Sequence, residues 1–214
     1  MAIKEAKDFF GANLGGESFV PSVETSRNGN GNCSPETVLF VRAPRYEQDP
    51  NFIGEVDKLV GGYVEGLESQ RVFLSGRGTR DGLTIAGERN VYRMRLAEFQ
   101  LKARDLVVGG VVGDIRRRGI DVIGRLVDVV WQAEDRMGSV SGDEVSMLGG
   151  RAYFICVGAK EVLNIAVDEI RRQGRPLNES LVTRLSRGIM GLDDISRDEL
   201  SQMMGEFVES PPVR

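Results

Sequence analysis

From Phe52 to Leu67 the apolar side chains Phe52, Ile53, Val56, Leu59, Val60, Tyr63, Val64 and Leu67 recur three and four residues apart, with Glu55, Lys58 and Glu65 between them. That period gathers the apolar groups on one side of a helix and predicts an amphipathic one. Asp49-Pro50 supplies its start, a capping carboxylate followed by a ring whose missing N–H is not needed in the first turn. Gly61 and Gly62 weaken it. A second helical stretch runs from about residue 90 to residue 137, with a break expected near Gly109-Gly110 or at Gly119. The third is the best specified. Ser141-Gly142-Asp143-Glu144 has the spacing of a capping box, and Val145, Leu148, Ala152, Ile155, Ala159, Val162 and Ala166 follow at helical intervals. The row Ala152, Ala159, Ala166 predicts a seam where another helix approaches closely, because small side chains keep backbones near each other. Cys156, Leu163 and Ile170 make a parallel apolar line, which places Cys156 in the core. Gly174 followed by Pro176 ends this helix. Two shorter helices are predicted after it. One is capped by Asn178 and the other by Ser196-Arg197-Asp198-Glu199, with Leu200, Met203, Met204, Phe207 and Val208 expected to pack on the core.

Elsewhere the periodicity changes or disappears. Thr-Val-Leu-Phe-Val at 37–41 is a short β-favouring run closed by Pro44. Residues 72–74 and 83–86, on either side of a glycine-rich loop, are candidate partners for it. Residues 1–10 carry an amphipathic pattern. Residues 11–35 are polar, with a Gly/Asn tract at 28–32 that cannot bury a core of its own. The expected class is mainly α: a helical bundle with a minor β element and an extended N-terminal arm. Residues 1–48 form the arm with its short strand, and 49–214 form the helical core domain.

Aspartate recurs at 114, 121, 128 and 135, every seventh residue. Asp114 precedes Arg118 by four residues and Asp121 precedes Arg125 likewise, so the row reads as an exposed, salt-bridged helix face. Metal binding is the sharper alternative, but the spacing opposes it. Seven residues of helix rise ~10.5 Å, too far for neighbouring aspartates to share one ion unless the helix breaks at Gly119 or Gly124.

Composition then narrows the chemistry. The chain has no histidine, which removes Ser-His-Asp and Cys-His catalysis and histidine-ligated metals. Cys33 and Cys156 are too few and too far apart for a disulfide framework or a metal pair. No catalytic residue, cofactor or metal ligand is assigned. The apolar run at 106–112 is too short to span a bilayer, so no membrane partner is expected and a soluble, cytoplasmic setting is the default. Net charge is −4, giving no overall attraction to nucleic acid. Arginine outnumbers lysine 23 to 5, and arginine is the cation enriched at protein interfaces. The loop around Arg77 and Arg80, and the cluster Arg116, Arg117 and Arg118, are the candidate phosphate or nucleic-acid contacts. On a helix, three consecutive residues point ~100° apart, so the cluster does not form one face.

Taken together, these features lead to a non-enzymatic structural subunit of a homo-oligomeric assembly; a virion or phage connector component is one setting that would combine them. The alternative is a nucleic-acid-binding or packaging-associated oligomer using the named arginines. An enzyme using Asp114, Asp121 or Asp128 is a third class. If the polar arm reaches a neighbouring subunit, deleting Met1 to Glu36 is expected to leave helical circular dichroism intact while weakening assembly. Loss of the helical signal would make the arm part of the fold.

Overall fold

The computed structural model describes residues 50–75, 82–109 and 113–210. Among them are six helices: α1 (Pro50–Ser75), α2 (Gly82–Val108), α3 (Ile115–Met137), α4 (Gly142–Arg172), α5 (Glu179–Ile189) and α6 (Arg197–Glu209). The class is mainly α. Asp49, the 37–41 run and the rest of the arm lie outside the described residues.

Helix directions follow from which side chains meet. Tyr63 packs on Phe99 and Gly66 lies under Arg95, so α1 and α2 are antiparallel. Arg118 covers Phe52 and Arg125 reaches Asp57, so α3 runs parallel to α1. Tyr92 stacks on Phe154 and Gln100 donates to Glu161, which makes α4 parallel to α2. The four long helices therefore form an up-down-up-down bundle. α5 and α6 fold back as a hairpin on one side of it: α5 packs on α4, and α6 packs on α3. α3 touches α1, α2, α4 and α6, so it occupies the middle.

Local chemistry sets the ends. Asp114 caps α3 by accepting from the Arg116 backbone N–H at 3.0 Å. Asn178 caps α5 through Leu181 N–H at 3.1 Å, and Ser196 caps α6 through Glu199 N–H at 3.2 Å. Ser141 occupies the cap position of α4, but its hydroxyl turns to the Glu144 carboxylate at 3.3 Å and makes no bond to a cap N–H. Gly174, at φ 66°, ends α4, with Arg175 N–H reaching back to the Ile170 carbonyl and Gly174 N–H to that of Arg171. The same pair of bonds closes α5 at Gly191. Both are Schellman endings, and each needs a residue that tolerates the left-handed region.

Two expectations about secondary structure are corrected. Residues 72–74 continue α1, and residues 83–86 open α2; neither is a strand. Lengthening an existing helix adds one hydrogen bond per residue fixed, whereas a three-residue strand has nothing until it finds an edge. The chain does break at Gly109, but α3 runs unbroken through Gly119 and Gly124.

The core draws on all six helices. Phe52, Val56, Val60, Tyr63 and Leu67 come from α1, Phe99, Ala103 and Val107 from α2, and Met203, Met204 and Phe207 from α6. Cys156 is buried among them. At two places glycine is what permits contact. A Cβ on Gly119 would sit 2.9 Å from the Ala166 Cβ, and one on Gly158 would sit 2.9 Å from the Tyr63 ring. Gly61, by contrast, has open space where a side chain would be. Gly119→Ala is therefore expected to destabilise the fold by about 1–3 kcal/mol despite its better helix propensity. Gly61→Ala is expected to stabilise it by about 0.5–1 kcal/mol. Urea unfolding of the two variants distinguishes a close helix contact from a propensity effect.

Candidate functional site

Three places on the bundle bear on function: the arginine and aspartate edge of α3, a groove between α1 and α2, and the outer surface of α2.

The α3 edge differs from the solvated stripe expected. Asp114 is spent on the helix cap, with Arg175 3.8 Å away. Asp121 is only 5% exposed. Asp128 is half-buried and Asp135 is exposed. The expected Asp121–Arg125 pairing gives way to an ion pair across helices, Arg125 to Asp57 at 2.9 Å. The correction has a simple cause. Heptad spacing fixes that the aspartates share a face, but α3 is surrounded, so that face meets neighbouring helices along much of its length. Burial pushes the Asp121 carboxyl up to about 7, with Arg117 and Arg118 pulling the other way. Asp128 is also raised by burial, against Arg197 and Arg125. Because α3 is continuous, successive aspartates stand ~10.5 Å apart along the axis and do not converge on one ion. Among the described residues no group of three histidine, cysteine, aspartate or glutamate side chains is arranged to hold a metal.

The candidate arginines separate. Arg116 extends to the C-terminal end of α6, where its Nη1 donates to the carbonyl of Ser210, the residue after the helix, at 3.0 Å. Arg118 lies across the Phe52 ring, 4.3 Å from its centroid. Arg117 is exposed and feels the Asp121 carboxylate. These three side chains leave the helix in different directions, and none of them stands free. Arg77 and Arg80 lie outside the described residues. The seam residues Ala152, Ala159 and Ala166 are all fully buried, and Ala166 is the one that meets Gly119 of α3.

Other arginines bridge helices. Arg151 pairs with Glu68 between α4 and α1, Arg171 with Glu179 at 2.6 Å between α4 and α5, and Arg184 with Glu199 at 3.1 Å between α5 and α6. Each exposed pair contributes at most about 1 kcal/mol, but they also determine where positive charge is already neutralised. Cys156 is a poor nucleophile, since burial holds its thiol well above the ordinary range and Glu134 adds to the effect.

The groove between α1 and α2 encloses about 380 Å³. Leu59, Tyr63, Phe99 and Leu106 supply its apolar lining, with Lys58, Arg95 and Lys102 beside Glu55 and Glu98. The mixed rim selects no single sign of charge. Tyr63 is anchored by donating to the Phe154 carbonyl at 3.0 Å, and burial raises its hydroxyl further above the usual tyrosine range.

The third place, the outer surface of α2, is not among the sites expected from the sequence. Met94 and Leu101 are 65% and 68% exposed, the highest among the large apolar side chains described. They lie seven residues apart, on the side opposite the buried Phe99, Ala103 and Val107. No helix among the described residues is long and apolar enough to cross a membrane.

Asp121 yields a pH prediction. An unfolded aspartate ionises near pH ~4, whereas the folded one holds its proton to about pH 7. The folded pKa is raised, so the native state's proton-holding advantage is fully present below pH ~4 and lost as pH rises to about 7. Asp121→Asn removes this cost. Relative to the native chain it is expected to be near neutral at about pH 4 and more stable by on the order of 2–4 kcal/mol at about pH 8. Denaturant unfolding across that range measures the difference, and a flat difference would place an ionised, well-paired carboxylate at 121.

A scan against protein-family models matches none, and searches of curated proteins and of solved structures return no similar chain.

Proposed function

We propose that this chain is a non-enzymatic structural subunit that assembles with copies of itself. The observation that carries the proposal is the outward ridge of α2. Met94 and Leu101 project into solvent on one line, with the exposed Ala97 between them. Single exposed apolar residues are ordinary, but two large ones in register on one helix make a surface that loses free energy when covered. α2 still turns Phe99, Ala103 and Val107 into the core, so Met94 and Leu101 are additional to its inward stripe and are more exposed than any other large apolar side chain described.

The use made of arginine favours this reading over nucleic-acid binding. Arg116 and Arg118 are held by α6 and Phe52, and Arg125, Arg151, Arg171 and Arg184 face carboxylates. A phosphate ligand would have to compete with these internal partners, against a net charge of −4. A subunit that stitches itself together with arginine–carboxylate pairs gains a defined, rigid shape, as a repeating assembly requires. A virion connector is one kind of assembly such a subunit would serve.

The solution mass across a concentration series tests the proposal. Assembly is expected, seen as a mass at a multiple of the single chain that rises with concentration. A monomer at every concentration would overturn it. Retention of DNA or RNA at low salt, falling steeply as salt is raised, would favour the nucleic-acid reading instead.

A further inference from the structure

We propose that residues 37–49 of the same chain lie along the face of α3 opposite α4, with the apolar run 37–41 over Asp121 and Asp128. This placement does not depend on self-assembly.

Directions around α3 locate the face. Gly119 points to Ala166 of α4, and Val107 of α2 lies on the same side. At ~100° per residue, Arg118 and Arg125 stand ~100–120° to one side of that direction, and both reach α1. Arg116 and Trp131 stand ~60–120° to the other side, and both meet α6. Arg117, Asp121, Asp128 and Asp135 all point ~160–180° away from Gly119. α1 and α6 therefore meet this face at its two edges. Exposure along it is uneven. Arg117 and Asp135, toward its ends, are exposed, whereas Asp121 is only 5% exposed and Asp128 is half-buried. Arg118 and Arg125, the long side chains on the α1 edge, are drawn away to Phe52 and Asp57. Something else lies over the middle of the face. Arg117, Asp121, Trp131 and Arg197, on the face or at its α6 edge, are all engaged.

Chemistry and position select the cover. Burial is the main influence on the Asp121 carboxyl and outweighs both nearby arginines, so what covers it is apolar. The run 37–41, Thr-Val-Leu-Phe-Val, has that character, and the two segments expected to pair with it, 72–74 and 83–86, are helical. Its Val, Leu and Phe side chains gain free energy wherever they are removed from water. The run is also attached at the right place. Pro50 opens α1 just before Phe52, which lies beneath Arg118 in the first turn of α3. Residues 42–49 are long enough to turn there, and Pro44 favours extended backbone at Ala43. Beyond the turn, the run 37–41 in extended form spans ~13 Å, against ~10.5 Å from Asp121 to Asp128. A second copy would have to bring the same run from a more distant Pro50. With the run so placed, residues 1–36 leave the bundle beyond Asp128, which gives the arm a fixed root.

Two measurements on the full-length chain test this. Val38→Ser, Leu39→Ser, Phe40→Ser and Val41→Ser are combined, and carboxyl labelling by a carbodiimide with glycine ethyl ester is read at Asp121 and Asp135 by peptide mass spectrometry. Labelling of Asp121 is expected to rise at least about fivefold over the native chain, with Asp135 labelling and helical circular dichroism unchanged. Equal labelling of Asp121 in the two chains would overturn the proposal. The second measurement keeps the run apolar. Asp128→Cys is combined in turn with Val38→Cys and with Leu39→Cys, in a chain carrying Cys33→Ser, and oxidised at a dilution where the chain is monomeric; Cys156 is buried. Successive positions of an extended run face opposite sides, so one of the two pairs is expected to close within the chain. The background is set by the same arm cysteines combined with Asn164→Cys, exposed on α4 and ~160° around it from Ala166. If neither pair closes above that background, the placement is wrong. Cross-links formed only between chains, and lost on dilution, would assign the run to a second copy: the same-chain placement fails while self-assembly stands.

Discussion

A Cβ on Gly119 would come within 2.9 Å of the Ala166 Cβ, so α3 and α4 can approach as they do only while both positions remain small. The other contacts follow from that approach. With α4 drawn close on one side, α3 sits deep enough to touch α1, α2 and α6 as well. Tyr63 provides a second close contact, its ring occupying the space that Gly158 leaves free while its hydroxyl holds the Phe154 carbonyl. Two close contacts, Gly119 with Ala166 and Gly158 with Tyr63, therefore set how near the long helices lie. At close range, packing is sensitive to a single methyl group.

A surrounded helix must bury whatever its sequence places around it. α3 carries aspartates and arginines at positions that a two-sided surface helix would leave in water. Here several of them are enclosed, in different ways. Asp114 is absorbed into the cap, Arg118 lies on an aromatic ring, and burial pushes the Asp121 carboxyl up to about 7. Arginine suits such places because its planar, weakly hydrated guanidinium stacks on rings and bonds to carbonyls while staying charged. For Arg116 and Arg118, the chemistry that suggested an anion site in the sequence works inside the bundle.

Helices, caps and stops were legible because they depend on neighbours in sequence. Asn178, Ser196 and Gly174 act on residues within a turn or two of themselves, and the apolar rows of α1 and α4 coincide with buried residues. What lay across the row was not legible. The seven-residue aspartate period looks the same whether the face meets water or another helix. Residues 72–74 and 83–86 look like strands when the helices that contain them are not known to extend so far. The α2 ridge escaped notice for the converse reason: Met94 and Leu101 resemble core residues until the opposite face of the helix is seen to be the buried one. Periodicity gives the faces of a helix, and only packing says what each face meets.

The chain contains a single tryptophan, Trp131, placed where α3 meets the terminal hairpin with the Arg197 guanidinium 4.1 Å above its ring. Its emission is therefore that of one location, free of contributions from other indoles. Lifting α6 would uncover the indole and remove its cationic cover while the four long helices remained paired. Fluorescence and far-ultraviolet circular dichroism then observe different events in one molecule, the first the seating of the hairpin and the second the helices themselves. A gap between the two transitions would measure how far the last two helices are a separable addition to the four-helix frame.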